Sequence, residues 1–213
     1  MGFQTQNLSM KNTLTDVLAK PLRMALPLLL IFFCLSQTAF AVEGKDLPEE
    51  KRTKLNLYVT APEAAALKTQ LGDKALFLDI RASAEIMFLG SPTVTDAMVP
   101  FVDFPRGELS FDEKRGTYKL EPNTGFVAEV ARRLAEKGLD KNDVIILMCR
   151  SGDRSSRAIN HQLADLGYTK VYSVVDGFEG DISKDGRRSI NGWKNANLPW
   201  TYKMEKAKIY MPK

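Results

Sequence analysis

Short apolar runs alternate along this chain with segments whose apolar residues recur at helical spacing, and no other feature restricts the fold as much. ALFLDI at 75–80, VIILM at 144–148 and VYSVV at 171–175 are compact and bounded by polar residues. Strands buried on both faces have that look. LYV from Leu57 predicts a short edge strand, and MVPFVDF at 98–104 a further one. Between them lie helix signals. TAPE at 60–63 reads as a capping box, with the Thr60 hydroxyl and Glu63 carboxylate serving free amides at a helix start. Leu67 and Leu71 share one face of that helix, and Gly72 can end it. A brief helix is expected around residues 84–88. From Phe126, FVAEVARRLAEKGL puts Phe126, Val127, Val130 and Leu134 on one side and five charges on the other. Residues 155–166 present Ile159, Leu163 and Leu166 inward before Gly167. The alternation predicts an α/β fold: a parallel sheet of about five strands with helices on both faces. Residues 57–213 form one domain with a turn-rich C-terminal tail. Residues 105–124 read as a surface excursion with a small hairpin, and Trp193 and Trp200 as core or lid packing.

The beginning of the chain reads differently. Lys11, Lys20 and Arg23 precede the apolar run ALPLLLIFFCL at 25–35, and Ala39 and Ala41 follow in A-x-A spacing. This is the pattern of a secretory signal peptide over residues 1–41, cleaved after Ala41, with export to a bacterial periplasm as the expected destination. An uncleaved membrane anchor is the competing reading, but the run is shorter than the ~20 residues of a spanning helix. Bulky Phe32 and Phe33 argue against lipid attachment at Cys34. Residues 42–56 are polar and expected to be a loose lead-in. Three of the 30 basic and one of the 26 acidic residues fall in the leader, leaving 27 against 25. That balance does not support a nucleic-acid partner.

Of the two cysteines, Cys34 leaves with the leader and Cys149 stands alone. Exported proteins mostly use cysteines in pairs, so a solitary one is either buried and inert or a free thiol kept for its reactivity. Its surroundings, MCRSGDRSSRA at 148–158, favour reactivity. Cys149 ends the VIILM strand, at the sheet edge where ligands of parallel α/β folds sit. The residues Arg150, Ser151, Gly152, Asp153, Arg154 and Ser155 then lead into a helix. Amides at such a turn can converge on an anion, Gly152 permits a tight curl, and Arg150 and Arg154 add positive charge. The same features favour a thiolate and seat an anionic substrate.

CRSGDRS resembles the active loop of the rhodanese family of sulfurtransferases. Asp79 and Arg81 of DIR, with Glu85 after them, resemble the family's D-x-R element. VVDGFEGD at 174–181 and NGWKNANLPW at 191–200 resemble its later segments. The resemblance covers roughly residues 57–200. It implies double displacement: Cys149 takes sulfur from a small anionic donor such as thiosulfate and passes it to cyanide, a thiol or an acceptor protein. Amides from Arg150 to Ser155 would stabilise the persulfide, Arg150 and Arg154 would orient the donor, and Arg154 would also be able to brace the loop. From their place at a strand end near the presumed site, Asp79 and Arg81 are expected to form an internal ion pair with Glu85 that braces the loop, rather than to take part in catalysis. Neither a metal nor an organic cofactor is implied, since sulfur is itself the carried group. One departure concerns donor preference: where many members have G-H-I-P-G-A, this chain reads FLGSPTVTDAMVPF, longer and without histidine.

Two other classes compete. A cysteine phosphatase shares the thiolate-in-a-cradle logic, but its H-C-x5-R signature is not met: Met148 precedes the cysteine and Arg154 comes one residue early. A sulfur-delivery or docking module serving one protein partner keeps the same cysteine. His161, the single histidine, lies two turns into the helix and is expected at the surface. The acidic residues near Asp176 to Asp185 miss calcium-loop spacing, and no metal is assigned.

Overall fold

The computed structural model of the protein describes residues 42–211; the signal-peptide reading falls outside them. Five strands form the main sheet: β1 (Tyr58–Val59), β2 (Ala75–Asp79), β3 (Ala97–Met98), β4 (Val144–Met148) and β5 (Val171–Val174). Every pairing is parallel, and the order is β1-β5-β4-β2-β3. The helices are α1 (Ala61–Leu71), α2 (Ser83–Leu89), α3 (Phe126–Glu136) and α4 (Asp153–Ala158). This is the α/β architecture that the alternation predicts.

The period-two geometry of the strands sorts their side chains between two cores. Leu76 and Leu78 of β2 and Ile145 and Leu147 of β4 pack with Phe126, Val130 and Leu134 of α3 and with Ala158 of α4. Phe77, Ile146 and Met148 face the other way, onto Ala61, Ala64 and Leu67 of α1 and the buried Trp193. The Trp193 ring meets Phe77 edge-on at 5.6 Å, and its indole N–H donates to the Pro199 carbonyl at 3.0 Å. Such a ring needs both an apolar seat and one acceptor when buried.

Local chemistry sets the element ends. At α1 the Thr60 amide donates to Glu63 at 2.7 Å and the Glu63 amide to the Thr60 hydroxyl at 3.4 Å, the capping box read from TAPE. α4 departs from a uniform helix: it widens into a π-type turn (Ile159–Leu163) and closes through a 3-10 turn (Ala164–Leu166) before Gly167. His161 is exposed on the π turn.

Two expectations change. The run at 98–104 is not one strand. Only Ala97–Met98 joins the sheet, and Val102–Asp103 pairs antiparallel with Glu121–Pro122. Pro100, which lacks an N–H, stands at the break. Residues 42–56 are not a loose lead-in but two 3-10 turns fastened to the rest of the fold. Ser156 of α4 donates to the Glu50 carbonyl. Asn160 both accepts from the Lys54 amide at 2.8 Å and donates to the Arg52 carbonyl at 2.8 Å. Lys51 pairs with Asp181 at 2.6 Å. The excursion at 105–124 contains the small hairpin, Phe111–Asp112 against Thr117–Tyr118.

Candidate active site

β4 is the central strand, so its carboxyl end opens between two neighbours, and Cys149 sits directly beyond it. The residue is only 1 % exposed and packs with the α3/α4 core. Sequence reasoning from a loop setting underestimates this burial, because the loop folds back over its own first residue. Burial alone would suit an inert core cysteine, but the hydrogen bonding around it does not. The Gly152 amide donates to the Cys149 sulfur at 3.1 Å. The amides of Arg150, Ser151, Asp153, Arg154 and Ser155 donate to no other group among the described residues. Those of Asp153, Arg154 and Ser155 are the first-turn amides of α4, which a helix start leaves free and able to receive an anion.

The curl depends on glycine. Gly152 has φ +98°, and a Cβ there would lie 2.4 Å from the Val175 carbonyl oxygen. Behind the loop, Gly177 has φ +60°, and its Cβ would lie 2.5 Å from the Cys149 carbonyl oxygen. The segment after β5 holds the loop by its main chain: Phe178 donates to the Cys149 carbonyl at 2.9 Å and Glu179 to the Arg150 carbonyl at 3.0 Å. Asp176 anchors that segment in turn. Its buried carboxylate accepts from the Ala61 amide at 2.8 Å and the Gly192 amide at 2.9 Å. Burial raises its pKa, against the pull of those amides and of Lys51. Asp176 and Gly177 lie in the VVDGFEGD segment singled out from the sequence, but their role as supports of the loop was not read there.

The predicted cluster of Asp79, Arg81 and Glu85 separates into two. Asp79 and Arg81 are fully buried and paired with each other, at 2.9 and 2.6 Å. Arg81 also donates to the Gly90 carbonyl at 2.6 Å and lies 3.9 Å above the Phe178 ring. Phe178 belongs to the core on the α1 face, opposite the face of Cys149. Glu85 instead caps the Ala82 amide at 3.0 Å and forms a two-pronged pair with Arg154, at 2.6 and 2.7 Å. The reason is directional. Residues 79 and 81 continue the strand parity that Phe77 sets, whereas Glu85, on the first turn of α2, meets the start of α4.

That pair distinguishes the surroundings of the two loop arginines. Burial opposes charge on Arg154, but hydrogen bonds to Glu85 and attraction to Cys149, Glu85 and Asp153 outweigh it and hold its pKa above the ordinary value. Burial likewise opposes charge on Glu85, and Arg154, the Ala82 amide and Arg150 overcome it, so its carboxyl lies below the usual range. Arg154 is therefore a brace whose charge is matched. Arg150 is exposed and makes no ion pair among the described residues. Ser155 is buried and donates to the Leu147 carbonyl at 3.2 Å; Ser151 and Asp153 are half-buried on the loop.

Fold and site together define a parallel α/β domain built around one cysteine in a cradle of main-chain donors. Residues 63–184 match the rhodanese-like domain family, and the chain belongs to that family. It is 45% identical over 132 residues to the uncharacterized protein RP600 of Rickettsia prowazekii, spanning 62% of this chain and 87% of that one. It is also 28% identical over 134 residues to the chloroplastic rhodanese-like domain-containing protein 4 of Arabidopsis thaliana, a match to 62% of this chain and 23% of the plant protein. The crystal structure of Rv0390 from M. tuberculosis superposes with a TM-score of 0.52 at 28% identity, over 68% of this chain and 97% of that one.

Proposed function

We propose that this protein is a sulfurtransferase that carries sulfur on Cys149. The observation that carries the reading is the Gly152 amide held 3.1 Å from the Cys149 sulfur within a stretch of amides that have no other acceptor. Such donors stabilise negative charge on sulfur wherever it develops. In the first half-reaction the Cys149 thiolate attacks the outer sulfur of a thiosulfate-like donor. A new S–S bond forms, the donor's S–S bond breaks, and its electron pair leaves on sulfite. In the second, cyanide or a thiolate attacks the outer sulfur of the persulfide, and the bonding pair returns to Cys149 as thiolate. Electrons balance over the two steps without an external oxidant, and the group transferred is sulfur alone.

A phosphatase would need a free arginine at the C-terminal side of the loop to clamp phosphate, and here Arg154 is already engaged by Glu85. A protein acceptor is the second reading, favoured by Met87 and Phe88, which expose 61% and 70% of their surface on α2, the helix that carries Glu85. Residues 1–41 we read as a leader cleaved after Ala41, delivering the enzyme to the periplasm.

The test is the mass of Cys149 after incubation with thiosulfate, together with thiocyanate release on adding cyanide. We expect an added mass of about 32 Da, one sulfur atom in the persulfide of a nucleophilic cysteine, and loss of turnover in Cys149→Ser. Full turnover in that variant would end the proposal. Persulfide formation with slow transfer to small acceptors would favour a protein acceptor.

A further inference from the structure

The brace formed by Arg154 and Glu85 leaves the loop short of one cation that a doubly charged donor could use. A second guanidinium, that of Arg188, reaches the segment that holds the loop and feels the charge of Arg150. Ser183 and Arg187 close a turn, with Ser183 donating to the Arg187 carbonyl at 2.7 Å and Gly186 at φ +82°. Ile182 and Arg188 face each other across it as an antiparallel bridge. Arg188 then donates through Nη1 to the Gly180 carbonyl at 2.5 Å. The amide of that same Gly180 donates to the Arg150 carbonyl at 3.3 Å. One residue thus ties Arg188 to the main chain of the active loop. Gly180 has little freedom to move: it has φ +87°, and a Cβ on it would strike the Asn191 carbonyl oxygen.

Two positive groups held together in this way repel each other. Burial, and then the charge of Arg150, lower the pKa of Arg188. Glu179, Asp181 and Glu85 pull the other way. None of them comes within ion-pair distance of Arg188 among the described residues; Asp181 is held by Lys51 and Glu85 by Arg154. An arrangement of this kind is relieved when an anion arrives, which is the electrostatic signature of a binding site.

We propose that Arg188 is a donor-recognition residue: with Arg150 it forms a two-guanidinium rim beside the Cys149 loop that selects doubly charged, oxyanion-bearing sulfur donors over singly charged ones. This rests on the sulfur-transfer reading above. Arg188 contacts the oxyanion end of the donor and takes no part in the bond changes at sulfur.

The test compares thiosulfate, a dianion, with benzenethiosulfonate, a monoanion, on the full chain and its Arg188→Gln and Arg188→Lys variants. Arg188→Gln should raise KM for thiosulfate roughly tenfold, as expected when one charge-assisted hydrogen bond is removed at a partly solvated rim. Its kcat, and KM for the monoanion, should stay within about twofold. Arg188→Lys should recover most of the loss, and high salt should narrow the difference. An unchanged KM for thiosulfate overturns the assignment. So does an equal loss on both donors that lysine fails to rescue, the mark of a merely structural role. Calorimetric binding of thiosulfate to Cys149→Ser, with and without Arg188→Gln, separates the two readings. If the unaltered protein turns over no donor, sulfur transfer fails, and a tenfold weaker affinity or its absence in the double variant still decides for or against Arg188.

Discussion

Removing the Glu85 carboxylate tests the brace of the active loop most directly. In Glu85→Ala, Arg154 loses two charge-assisted bonds, at 2.6 and 2.7 Å, and the Ala82 amide loses one at 3.0 Å. The two side chains are 12% and 19% exposed, so the orphaned guanidinium regains only part of its hydration. Breaking a fully buried pair on one side costs about 3–5 kcal/mol; with this residual exposure we expect about 3 kcal/mol. For a domain of this size that corresponds to a fall in Tm of roughly 6–12 °C. The double variant Glu85→Ala/Arg154→Met leaves no buried unmatched charge and should recover at least ~1.5 kcal/mol relative to additivity. The effect should also depend on pH. The folded pKa of Glu85 is depressed, so its contribution is present above the unfolded value of about 4.3 and is lost as pH falls through the folded value. Thermal melts of the four proteins of this cycle at pH 7 and at about pH 3 provide the assay; the pH window follows from the carboxylate titration range. A coupling below about 0.5 kcal/mol, within the scatter of additive pairs, would refute the claim that the pair holds the loop. So would a Glu85→Ala deficit that does not shrink in acid.

Other outcomes follow from the same geometry. Gly152→Ala should cost at least ~2 kcal/mol and most of the activity, because its φ of +98° and the 2.4 Å approach to Val175 leave no room for a Cβ; a melt and an activity assay unchanged from the parent would contradict this. Trp193→Ala should destabilise by about 3–5 kcal/mol, as a fully buried ring with a bonded N–H, measurable by urea titration. Cutting the ties of residues 50–54 with Ser156→Ala and Asn160→Ala together should cost about 2–3 kcal/mol, at ~1 kcal/mol for each hydrogen bond removed. Unaltered proteolysis of residues 42–56 in that variant would show that the segment is held by something else.

Much of this protein is local, and so could be read from its sequence. The strands at 75–79, 144–148 and 171–174 announce themselves by composition, the capping box of α1 needs only Thr60 and Glu63, and Cys149 with Gly152 is a contiguous signal. What could not be read this way joins residues far apart in the chain. The order β1-β5-β4-β2-β3 brings the segment after β5 beneath the loop after β4, which is why Gly177 and Gly180 support Cys149 and Arg150. Strand parity sends Asp79 and Arg81 to the face opposite Cys149, while Glu85 crosses 69 residues of sequence to reach Arg154. Spacing along a chain encodes periodicity and turns. It does not encode which carboxylate a guanidinium will meet, since that depends on where separate elements come to rest against one another.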